Sequence, residues 1–169
     1  MYRIRMGPSN RDELSQPALE LLQKDQIWQL EDRDGFSSFT GQLLGFASSQ
    51  REEHSHPTDS RDLTAQRLFA GRCAACRWSE IYIFRVIAGD GPAMGRYCVY
   101  TLGPSIVQGE TTRGRIRWAS SGYEVMELCT VRRGDRGEPW LPAAHSRALA
   151  MAADTDARVE QAYVNRAVA

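Results

Sequence analysis

Two cysteines three residues apart, in Cys73-Ala74-Ala75-Cys76, are the residues of this chain best suited to chemistry by type and spacing. Two thiolates so placed can chelate one zinc ion, because a tight turn between them points both sulfurs inward. The same spacing can form a redox disulfide, and it also suits two small buried residues with no further role. The redox reading needs the pair at a helix N-terminus, whose dipole lowers the thiol pKa. Here the pair follows a predicted helix and precedes a predicted strand, so the dipole disfavours a thiolate, partly offset by Arg72 and Arg77. Over Arg72 to Trp78 the chain resembles a zinc-ribbon knuckle, in which a cysteine pair on a turn feeds into a strand. Zinc ribbons carry a second Cys-x-x-Cys, which this sequence lacks.

A closed structural zinc site needs four ligands. The candidates for the third and fourth are His54, His56, Cys98, Cys129 and His145. If Cys98 lies on a strand paired with the one that follows Cys76, it stands about 30 Å along that strand from the pair, too far to share a metal. Cys129 falls on a predicted helix face with Tyr123 and Met126, where a core role suits it better. His54 and His56 share one side of an extended segment, one short helix upstream of the pair. The metal expectation is therefore zinc on Cys73, Cys76, His54 and His56, against the alternative of two solvated histidines in a polar stretch.

A second constellation is basic. Arg113, Arg115 and Arg117 alternate and would line one face of a strand, with Trp118 and Tyr123 close by. Arg132, Arg133 and Arg136 follow a predicted helix C-terminus, where cations are favourable. Arginine beside aromatic residues can make a nucleic-acid or partner-binding face, and Arg113, Arg115, Arg117 and Trp118 are the residues placed there. The competing reading is a charged edge strand protected against association. The 21 basic and 21 acidic residues give no net charge, which favours the edge strand and argues against nucleic acid as partner. Lysine occurs once, at Lys24, and the arginine excess reads as codon bias. Glu124 and Glu127 lack a second acidic pair or a histidine partner, and read as surface residues.

Other signatures are missing. Ser105 in Leu-Gly-Pro-Ser-Ile lacks the second glycine of a nucleophile elbow. There is neither a Walker loop nor a GxGxxG pattern. The N-terminal MYRIRMGPSN has no apolar core of a signal peptide, and no stretch nears the ~20 apolar residues of a membrane span. The expectation is a soluble cytoplasmic protein whose cysteines stay reduced.

Elements must position these residues. Alternation predicts a strand at Tyr2–Met6, then a helix within Asp12–Glu31 on the stripe Leu19, Leu22, Leu30. Residues Phe36–Phe46 are ambiguous, because Gly41 and Gly45 weaken a helix. A helix from Ser60 to Ala70 is predicted ahead of the cysteines, strands at Trp78–Ile87 and Tyr97–Leu102 form a hairpin, and Arg115–Trp118 is a third strand. Ser121-Gly122-Tyr123-Glu124 fits a capping box for a helix to about Arg132. Pro142 opens an Ala-rich helix to Ala153, and Thr155 or Asp154 caps the last one. The fold expected is α+β: a small antiparallel sheet covered by helices, with a helical C-terminus. The division expected is a strand/helix segment 1–46, a polar linker 47–60 and a main domain 61–169, or a single domain throughout.

Through Cys73-x-x-Cys76-Arg77-Trp78, Tyr123-Glu124-Val125 and the tail Tyr163-Val164-Asn165-Arg166-Ala167-Val168-Ala169, the chain from about Ala70 onward resembles small uncharacterised proteins of actinobacterial phages. The resemblance implies the cytoplasm of a host cell and an Arg-rich genome, and implies no activity. The function expected is a non-enzymatic binding or regulatory module, zinc-stabilised through the cysteine pair, acting on a host or phage macromolecule. Two alternatives stay open: an enzyme of unrecognised type using the segment 103–117, and a phage structural or assembly component that forms homo-oligomers through the Ala-rich tail.

Overall fold

A computed structural model describes residues 2–4, 21–48, 79–89, 95–104, 112–133 and 135–168. Its frame is a six-stranded sheet whose strands lie in chain order: β1 (Tyr2–Ile4), β2 (Gln26–Asp32), β3 (Gly35–Ser48), β4 (Glu80–Gly89), β5 (Tyr97–Pro104) and β6 (Thr112–Ala119). β1 runs parallel to β2, and every other neighbouring pair is antiparallel. After β6 come helix α1 (Gly122–Cys129), the ribbon β7 (Val131–Arg133) and β8 (Glu138–Trp140), and helices α2 (Ala143–Ala153) and α3 (Ala157–Val168). Among the described residues no helix is long and apolar enough to cross a membrane.

The sheet is strongly curled. Phe39 of β3 and Trp118 of β6 stand three strands apart, which in a flat sheet is roughly 14 Å. Their rings meet edge to face at 5.7 Å. Tyr100 on β5 likewise donates to the Glu31 carbonyl on β2 at 2.6 Å. The concave side is filled by Trp28, Leu30, Phe39, Leu43, Phe84, Cys98 and Tyr100. The convex side carries Leu44, Ile81, Ile83, Tyr97 and Val99, on which the three helices pack.

The mixed α and β content matches the sequence reading, and the finer description is corrected. The sheet has six strands among the described residues, one of them parallel, and the described helices pack on its convex side. Part of the discrepancy is β2, which replaces the C-terminal half of the helix predicted within Asp12–Glu31. Trp28 and Leu30 are buried while Ile27, Gln29 and Glu31 point outward, a period of two that the leucine stripe obscured. The ambiguous segment is the long strand β3. The strand alternates its side chains, with Leu43 in the concave core and Leu44 in the convex one, and register shifts interrupt its pairing with β4 at Thr40/Gly41 and Leu43/Gly45. A β-carbon on Gly45 would collide with the Ala148 carbonyl of α2, so this glycine allows the helix to lie directly on the strand.

The strand pair β4–β5 sets Cys98 opposite Phe84 and Tyr97 opposite Arg85, as the predicted hairpin requires. Residues 47 and 48, assigned to the linker, continue β3, and Ser48 pairs with Glu80 across the sheet. The sheet thus runs across both sides of the segment 49–60, which itself lies outside the described residues, as does the helix predicted at Ser60–Ala70.

Helix α1 starts where the capping box predicts. Ser121 Oγ accepts from the Glu124 amide at 3.2 Å, but the Glu124 carboxylate reaches Ser120, accepting from its N–H at 2.7 Å and its hydroxyl at 2.9 Å. The last helix is capped by Asp156 and not by Asp154 or Thr155: its Oδ1 accepts from the Arg158 and Val159 amides at 3.0 and 3.1 Å. The Ala-rich faces of α2 and α3 are buried against the sheet and each other, through Ala148, Ala152, Ala153 and Ala162.

Candidate functional site

The arginine row takes its place from the pleat of β6. Arg113, Arg115 and Arg117 pair with Gly103, Thr101 and Val99 and face the helical side. Gly114, Ile116 and Trp118 face the other way, and Trp118 packs against Phe39 in the concave core. Trp118 therefore stands on the opposite side of the sheet from the three arginines with which the sequence grouped it.

Beside the row ends helix α1, and its last turn shapes the site. The final carbonyls of a helix have no partner within it. Here all four find one: Met126 O accepts from the Thr130 hydroxyl at 2.9 Å, Glu127 O from the Thr130 amide at 3.1 Å, Leu128 O from Arg117 Nη2 at 2.7 Å and Cys129 O from His145 Nδ1 at 2.7 Å. Two of the four partners are basic side chains, the type favoured at the negative end of a helix dipole. A carbonyl can only accept, so His145 carries its proton on Nδ1 when neutral and turns the Nε2 lone pair toward Ser79, whose Oγ lies 3.5 Å away.

Between β5, β6, the end of α1, β7 and the start of α2 lies a groove of about 440 Å³. Its charged lining is Arg113, Arg115, Arg117 and Arg132, and its neutral polar lining is Ser79, Thr101, Thr130 and His145. Among the described residues no carboxylate lines it. Four guanidinium groups therefore project a positive field into one concavity. Arg117 is half-buried. Desolvation, and then the charge of Arg115, lower its guanidinium pKa from the usual range, yet an arginine stays protonated at neutral pH. Its Nη2 is fixed on Leu128 O, while its Nε is buried without a hydrogen-bond partner. An unsatisfied buried donor on a charged group is costly.

A second cavity, of about 380 Å³, is lined by Arg85, Arg96, Tyr97, Asp156 and Arg158. It is a structural joint. Asp156 Oδ2 accepts from Arg85 Nε and Nη2 at 3.0 and 2.7 Å, the Tyr97 hydroxyl lies 3.0 Å from both carboxylate oxygens, and Oδ1 caps α3. The carboxylate has no capacity left for a ligand.

The zinc candidates Cys73, Cys76, His54 and His56 lie outside the described residues. Among the described residues no three His, Cys, Asp or Glu side chains come together as a metal site. Cys98 is buried in the concave core, where desolvation pushes its thiol far up. Cys129 is buried beneath α1 and is pushed up to about 12, against the opposing charges of Arg117 and Arg166. Neither presents a ready thiolate. His145 meets Cys129 through the backbone carbonyl.

Sequence reasoning found the row Arg113, Arg115 and Arg117 and set Arg132 in the same basic constellation, but missed Thr130, Ser79 and His145 as their companions. The one available signal was the cluster of basic residues after the capping box, which marks the end of α1. Compared with known proteins, the chain matches no family model, no curated protein and no solved structure.

Proposed function

We propose that the protein is a binding module that holds an anionic group of a partner macromolecule in the arginine groove. The supporting observation is the convergence of Arg113, Arg115, Arg117 and Arg132 on one concavity that no carboxylate of the described residues lines. Guanidinium forks match phosphate and carboxylate oxygens in pairs, and the hydroxyl of Thr101 adds a neutral donor. A zero formal charge over the whole chain and a Trp118 turned into the core both weigh against a tract that follows nucleic acid. A compact anionic group suits the groove better.

Calorimetric titration with pyrophosphate, as a simple probe of this chemistry, tests the reading. Saturable binding is expected, weakened about tenfold or more by Arg115→Ala, since a hydrogen bond to a charged group contributes roughly 1.5–3 kcal/mol. It should also weaken as salt screens the exposed arginines. Absent binding at low ionic strength, or equal binding by the variant, would exclude the groove.

Zinc on Cys73 and Cys76 is proposed separately, on their spacing alone. Mass-spectrometric metal content of the purified protein, referred to protein concentration, decides it. Near-stoichiometric zinc that disappears in Cys73→Ser/Cys76→Ser supports the site, and none refutes it.

A further inference from the structure

The α1 cap engages one nitrogen of His145, and the other faces a serine that lines the same groove. With Nδ1–H held by the Cys129 carbonyl at 2.7 Å, Nε2 is the acceptor facing Ser79 Oγ at 3.5 Å. That distance is the outer limit of a hydrogen bond, and nucleophile–base contacts without substrate are commonly this long. The order hydroxyl, imidazole, fixed acceptor is that of a serine nucleophile with its base and the group that orients the base, here a backbone carbonyl. Ser79 immediately precedes β4, one residue before the row Glu80, Leu102, Gly114. The adjoining pair across β5 and β6 is Gly103 and Arg113. Hydroxyl, imidazole and arginine row therefore line one groove.

We propose that Ser79 and His145 form a nucleophile–base pair that hydrolyses a carboxylic ester bearing an anionic group. The proposal rests on the anion-binding reading of the groove, whose arginines hold the anion. Ser79 Oγ bonds to the ester carbon and its proton passes to His145 Nε2. The carbon–oxygen bond to the alcohol then breaks, and the leaving oxygen takes that proton. Water repeats the sequence: its proton goes to Nε2, its oxygen bonds to the acyl carbon, and Ser79 Oγ departs with the proton, giving the carboxylic acid. Positive donors for the carbonyl oxygen as it gains charge come from the arginine row that lines the same groove.

The test compares phenyl acetate with 4-acetoxybenzenesulfonate, the same ester carrying an anion. The whole protein should turn over the sulfonate with the higher kcat/KM, and Arg115→Ala should reduce that preference. Ser79→Ala and His145→Asn should each lower turnover about 100-fold or more, the range of a positioned base. His145→Asn keeps a side-chain N–H for the Cys129 carbonyl, so an unchanged melting temperature separates lost chemistry from lost fold. Independently of any variant, a fluorophosphonate should add to Ser79, read by intact mass and peptide mapping. No turnover and no label, in protein that binds pyrophosphate, overturns the hydrolytic pair and leaves the binding module standing. No turnover and no pyrophosphate binding overturns both. Turnover that persists in Ser79→Ala also overturns the pair.

Discussion

Arg117 and His145 show one side chain serving a helix end and a groove at once. Each gives one nitrogen to a carbonyl of the last turn of α1, and each also lines the groove. The sequence displayed the alternation of Arg113, Arg115 and Arg117, because a period of two is a local property. It did not display His145 or Ser79, whose meeting depends on how α2 lies on β3. Tyr97 belongs to the same scale. Burial, followed by its hydrogen bond to Asp156, raises its phenol from 10.0 to about 12. A raised folded-state pKa means a stabilising contribution present below about pH 10 and lost as pH rises through about 12. Ultraviolet titration should show a late tyrosine component that shrinks by one residue in Tyr97→Phe. A wild-type titration without a late component would refute it. Thiols give a second check. Cys98 and Cys129 should resist a disulfide reagent at pH 8 in the native protein, since buried thiols with raised pKa are poor nucleophiles. Any fast reaction should map to Cys73 or Cys76 by peptide analysis.

At the level of elements, β3 carries the most information that the sequence hid. Gly41 and Gly45 counted against a helix there, and the positive role of Gly45 is visible only with α2 in place. Helix α2 crosses β3 so closely that Gly45→Ala should cost about 1–3 kcal/mol, the usual range for inserting volume into a packed site. Urea unfolding measures it. A change below about 0.5 kcal/mol would mean that α2 can retreat from the strand at little cost. Helix α1 was readable in advance because its start is encoded within four residues, Ser121 to Glu124. Its end was placed too late, near Arg132, because the carbonyls that stop it are satisfied by Arg117 and His145, far away in sequence. β2 was mistaken for helix because Leu22 and Leu30 also fit a helical stripe, and only pairing with β3 decides between the two periods.

For the molecule as a whole, five antiparallel strands follow one another through the sheet, each beside its predecessor in the chain, and the curl brings the last back toward the second. That order was partly legible as hairpin signals, and the curl was not, since it depends on the register shifts of β3. One detail of this arrangement reaches further. Ser48 and Glu80 are opposite one another across β3 and β4, so the chain leaves the sheet and rejoins it at a single doorway. Whatever lies in residues 49–78, including Cys73 and Cys76, is spliced into a hairpin that is already closed by its own strands. Loop-closure entropy grows only slowly with length, about 0.6 kcal/mol per doubling. Replacing 49–78 by a short Gly–Ser turn should therefore leave the sheet folded, measured by circular dichroism and melting, while removing any bound zinc. A shortened chain that fails to fold would show that the insert is anchored in the rest of the protein. A shortened chain that folds would mark 49–78 as a cassette, exchangeable between proteins without renegotiating the scaffold that carries it.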